Sequence, residues 1–177
     1  MAMPGRRAFG LGGGSDLLGI YLNDHLAGST GGLELLRRLA SAHRGTPDGS
    51  VLAHLEAEVN ADRDALREIM RELGVQERRY KLVAAWAAEK AGRLKTNGYL
   101  VRRSPLSSVV ELEAMMLGVR GKAALWRVLL ERAADDARLD AAELAAFSER
   151  AERQAAELEQ LRVKRAVIAF GRPASRS

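Results

Sequence analysis

Apolar residues recur at near-heptad spacing in four long stretches of the chain, 17–44, 50–73, 105–134 and 141–169, the pattern of helices packed antiparallel at shallow crossing angles. The second stretch carries Leu52, Leu55, Val59, Asp62, Leu66, Ile69 and Leu73 on one stripe, and the fourth carries Leu144, Phe147, Ala151, Gln154, Leu158, Leu161 and Ile168. Each of these stripes is apolar except at its midpoint. The third offers Val109, Leu112, Met116, Val119, Ala123, Trp126 and Leu130. The first is less regular: Leu18, Leu22, His25, Ser29, Gly32, Leu36 and Leu39 form one stripe, flanked by Leu17, Tyr21, Asp24, Gly28, Gly31 and Leu35. Gly28, Gly31 and Gly32 cost this helix about 2 to 3 kcal/mol of propensity relative to alanine. Close approach of a neighbouring helix, or of a bulky side chain such as Trp126, is the expected compensation.

Helix boundaries are signalled locally. Ser15 or Asp16 is placed to cap the first helix, residues 45–50 form a turn, and Gly74 stops the second helix. Ser104 followed by Pro105 opens the third helix, and Asp140 with Glu143 makes a carboxylate version of a capping box for the fourth. Between the two hairpins, Val83, Trp86 and Ala87 give residues 78–95 the periodicity of a fifth, shorter helix, which Asn97-Gly98 breaks. The hairpins also read as a pseudo-repeat. His25 slides onto Met116, Leu52 onto Leu144, Leu55 onto Phe147 and Leu66 onto Leu158, and the polar interruptions Asp62 and Gln154 coincide.

The order of these elements resembles the ferritin-like superfamily, in particular the small stress-associated ferritin-like proteins of bacteria. The resemblance rests on helix number, helix length and crossover placement over residues 17–170, with no signature motif. It implies an all-α, up-down four-helix bundle of two hairpins joined by a long crossover carrying the fifth helix, in one domain over residues 16–170 with flexible tails at 1–15 and 171–177. Active members of the superfamily place Glu on two helices and Glu-x-x-His on the other two. Here Glu58 is followed three residues on by Ala61, Glu149 by Glu152 and Glu152 by Ala155, so the metal centre is expected to be degenerate.

Composition narrows the classes. Of 177 residues 47% are hydrophobic, enough for one sizeable core, and no apolar run approaches the roughly 18 residues that span a bilayer. The absence of cysteine removes disulfides, thiolate metal sites and a cysteine nucleophile. No Walker loop or nucleophile elbow occurs, and the GLGGGS stretch near the N-terminus lacks the strand and helix that would make it a phosphate cradle. A cytoplasmic, bacterial-type protein is expected.

Candidate chemistry lies at three places. Tyr21, Asp24 and His25 form a polar cluster, with Asp24 and His25 the metal candidates; no cofactor is expected, with iron or another divalent ion as the alternative. Asp62 and Gln154 form a central polar layer, bonding each other or an arginine such as Arg120. If the first turn centres on Pro47, level residues have numbers summing to about 94, which sets Asp62 opposite Gly32 and His25 opposite Ile69, about 10 Å apart along the axis. Metal bonds of about 2.0 to 2.2 Å keep one ion from joining both layers. If the polar layer is purely structural, Asp62→Leu is expected to be neutral or stabilising.

The third place is the crossover. Residues 76–103 hold eight basic residues against two acidic ones, a local excess of +6 in a chain of net charge +5. Arg78, Arg79, Lys81, Arg93, Lys95, Arg102 and Arg103 form a strip suited to nucleic acid, to an acidic partner, or to intramolecular ion pairs. The reading as a whole is a non-enzymatic binding or structural bundle, self-associating as a homodimer, off the membrane. Its alternatives are an atypical metalloprotein through Asp24 and His25, and a weak nucleic-acid binder.

Overall fold

The computed structural model describes residues 13–78 and 105–171. Among them are four helices and no strand: α1 (Gly13–Ala42), α2 (Pro47–Glu72), α3 (Pro105–Arg132) and α4 (Ala141–Phe170). The expected fifth helix and most of the basic strip lie outside the described residues.

Pairs of contacting residues fix the topology. Arg37 on α1 bonds Glu56 on α2, and Trp126 on α3 stacks on Phe147 of α4 with ring centroids 5.0 Å apart, so each hairpin is antiparallel. On α2 and α4, Asp48 meets Lys164 while Asp62 meets Arg150, so these helices are antiparallel as well. α2 and α3 are therefore parallel, and α1 runs against α3, with Gly32 beside Met115. Arg138, in the α3–α4 turn, donates to the Leu73 carbonyl at 3.3 Å and ties that turn to the end of α2.

Where the caps were legible they form as expected. Gly74 takes φ +72° after α2, with its N–H donating to the Arg71 carbonyl and that of Val75 to the Met70 carbonyl. Asp140 accepts from the Ala142 and Glu143 amides at 2.8 and 3.1 Å. Two starts differ from expectation. α1 begins at Gly13, which places Ser15 and Asp16 inside its first turn. α2 begins at Pro47, because Thr46 accepts from the Gly49 amide and proline follows at the first helical position, the same cap-proline signal as at Ser104-Pro105.

The core follows the stripes of α2, α3 and α4 closely, from Leu52 to Ile69, from Val109 to Trp126 and from Leu144 to Leu161. Ile168 departs from its stripe and is 63% exposed. Lys164 and Arg165 already sit level with Asp48 at the start of α2, so α4 overhangs its neighbour beyond that point. α1 is rotated from the expected face: Leu22, Leu26, Leu33, Leu36 and Leu39 are buried, while His25, Ser29 and Gly32 face a cavity. Leucine at positions 26 and 33 buries apolar area that histidine and glycine cannot.

Candidate functional site

A cavity of about 470 Å³ lies between α1, α2 and α3. α1 contributes Tyr21, Asp24, His25, Gly28, Ser29 and Gly32; α2 contributes Val59, Asp62, Arg63 and Leu66; α3 contributes Met115, Gly118, Val119, Gly121, Lys122, Leu125 and Trp126. The expectation for the α1 glycines is close approach of a neighbouring helix or of a bulky side chain such as Trp126. Instead a Cβ on Gly28, Gly118 or Gly121 would meet nothing within 4 Å, and one on Gly32 would meet only the flexible end of Met115, at 3.4 Å. The small residues leave space instead of filling it, and Gly28 and Gly118, both exposed, mark an opening between α1 and α3.

The charged wall of this cavity is a network centred on Asp62, which is 1% exposed. One carboxylate oxygen, Oδ1, accepts from Arg150 Nε at 2.8 Å and from its Nη2. The other, Oδ2, accepts from Lys122 Nζ and from Gln154 Nε2 at 3.2 Å. Lys122 also donates to Gln154 Oε1, and Gln154 Nε2 donates to Glu58 at 3.0 Å. Two cations and two carboxylates thus balance across three helices. Burial pushes the Lys122 amine below its ordinary range, against the opposing attraction of Asp62.

The expected Asp62–Gln154 hydrogen bond is present, joining the two residues that interrupt the apolar stripes of α2 and α4. The arginine that joins them is Arg150, not Arg120, together with Lys122. Sequence periodicity missed both cations, whose long stems carry a charge inward from boundary positions. A usable signal existed: Arg150 stands one helical turn before Gln154, as Glu58 does before Asp62.

Tyr21, Asp24 and His25 gather at the other end of the cavity. The Tyr21 and His25 rings pack edge to face at 4.6 Å. Burial lowers the His25 imidazole's pKa, with Asp24 opposing, and so disfavours the charged ring. Among the described residues no three His, Cys, Asp or Glu side chains come together as a metal-holding group. Arg78 is exposed, and its backbone N–H donates to buried Asn23. Arg79, Lys81, Arg93, Lys95, Arg102 and Arg103 lie outside the described residues. No helix among the described residues is long and apolar enough to cross a membrane. No family model, curated protein or solved structure matches the chain.

Proposed function

We propose that this chain is a non-enzymatic, ferritin-like helical bundle that binds a small, mainly apolar molecule in the cavity between α1, α2 and α3. The observation that carries this reading is the use of glycine on both facing helices beside a buried charged network, leaving open a cavity that larger side chains such as leucine would fill. Preformed apolar cavities of about 300 to 1,000 Å³ with a few placed polar groups are the usual form of small-molecule sites. The ferritin-like assignment is supported by two antiparallel hairpins whose middle helices run parallel, and the absence of Glu-x-x-His argues against a conventional di-iron centre. A cytoplasmic homodimer goes with this proposal. Exposed Val163, Val167 and Phe170 on one face of α4 support the self-association.

A neutral fluorescent probe, N-phenyl-1-naphthylamine, tests the reading. Its emission should rise on mixing with the protein and fail to rise with a Gly28→Leu/Gly118→Leu variant of unchanged helicity. No enhancement, or enhancement indifferent to filling the cavity, removes the proposal.

A further inference from the structure

The polar groups that the cavity leaves unused specify its occupant, on the reading that it binds a small molecule. Two buried N–H donors on its lining residues have no hydrogen-bond partner: Trp126 Nε1, on a side chain with 0% exposure, and Arg63 Nε. The acceptors of the charged wall are in the opposite condition. Both Asp62 oxygens and Gln154 Oε1 already receive hydrogen bonds. A buried donor left unmade is destabilising, so the missing group is an acceptor.

Charge narrows the choice further. Lys122 and Arg150 are balanced by Asp62 and Glu58, but Arg63 has no comparable partner. Its Nη2 donates to Asn60 at 2.8 Å and stands 3.6 Å from Asp64. Asp64 is itself 55% exposed and shared with Arg67, so it offsets little of the Arg63 charge. The pairing of Asp62 with Lys122 sets the register of the parallel helices α2 and α3 and puts Arg63 level with Ala123. Trp126 follows about 4.5 Å further along the axis, and both residues line the same cavity. Val59, Leu66, Met115, Val119 and Leu125 supply the rest of the wall.

We propose that the cavity takes an apolar monocarboxylate, with its carboxylate accepting from Arg63 Nε and a further acceptor contact to Trp126 Nε1. The chain has two tryptophans, Trp86 and Trp126, so Trp86→Phe leaves Trp126 as the sole reporter. In this background the emission is titrated with decanoate, methyl decanoate and decylamine. Decanoate should bind at least tenfold more tightly than the ester, and the amine most weakly. Arg63→Met should reduce decanoate to the level of the ester without changing the ester. Arg63→Lys keeps the charge but lacks Nε, and should give an intermediate loss; circular dichroism checks that both variants fold. Equal binding of acid and ester, or a preference for the acid that survives Arg63→Met, overturns the carboxylate. Absence of binding by all three also overturns it, whereas the naphthylamine probe alone decides whether the cavity binds ligands at all.

Discussion

Asp48 and Asp62 stand two heptads apart on one face of α2, both buried, and both held by two cations that include residues of α4. Yet the two sites are perturbed in opposite ways. At the end of the bundle Lys164 is 57% exposed, and the hydrogen bond from Lys164, aided by Arg165, holds the Asp48 carboxyl below its ordinary range despite the cost of burial. In the middle the Lys122 side chain is 14% exposed, and it is the amine that shifts, driven down by desolvation. An ion pair stabilises where one partner keeps its water; where both lose it, attraction mainly offsets the penalty.

The sharpest test of this difference is truncation. Asp62→Ala removes the carboxylate that Lys122 and Arg150 share, leaving them only Glu58 nearby, and should cost about 3 to 5 kcal/mol. Asp48→Ala should cost distinctly less, because Lys164 can turn to water; denaturant titration of both variants decides. For the same reason Asp62→Leu alone should be destabilising, contrary to the expectation for a simple polar layer. The triple change Asp62→Leu, Lys122→Met, Arg150→Met should return stability to within about 1 kcal/mol of the parent or exceed it. If the single and triple variants melt alike, the central network is not coupled as described.

Glycine separates the same two levels of the bundle. A Cβ on Gly49, beside Asp48, would collide with the His43 carbonyl, and backbone cannot move aside as a side chain can. Gly49→Ala should therefore cost about 1 to 3 kcal/mol. By contrast Gly28→Ala and Gly118→Ala, at the cavity, should each raise stability by about 0.4 to 1 kcal/mol, since alanine favours helix and meets no neighbour. Thermal melts of the three variants should give the two opposite signs.

The smallest effects are those of pH. A carboxyl whose folded pKa is depressed contributes stability that is present above its unfolded value of 3.8 and is lost as pH falls through the folded value. An amine with a depressed folded pKa does the reverse at the alkaline end: its cost is relieved as pH rises from the folded value towards the unfolded 10.5. Asp48→Asn should flatten the acid arm of a pH–stability curve and leave the alkaline arm unchanged.

How much of this was legible in sequence depended on whether a residue's role shows in its hydrophobicity. The stripes of α2 and α4, the Gly74 stop and the Asp140 cap declare themselves through periodicity or local chemistry, and the chance that Asp62 meets Gln154 was visible in the repeat. The cavity was not. Glycine reads the same whether it admits a backbone or leaves a void, and only the position of α3 distinguishes the two. Lys122 and Arg150 occupy boundary positions that a stripe analysis assigns to solvent. The buried face of α1 departs from its heptad because His25, Ser29 and Gly32 continue the spacing while Leu26 and Leu33 supply the apolar area.

The order of the helices also bears on how the chain reaches this structure. α3 and α4 are joined by residues 133–140 and share the Trp126–Phe147 contact, so that hairpin closes a short loop and gains apolar area at once. The bonds between α2 and α4 connect residues 88 to 117 positions apart in the chain. Closing that distance is slow, and the rewards there are ion pairs, which form only when geometry is complete. Hairpin closure is thus expected to lead folding and the aspartate seam to finish it, so substitutions at Asp48 or Asp62 should chiefly quicken unfolding, while those at Trp126 or Phe147 should slow the approach to the native state.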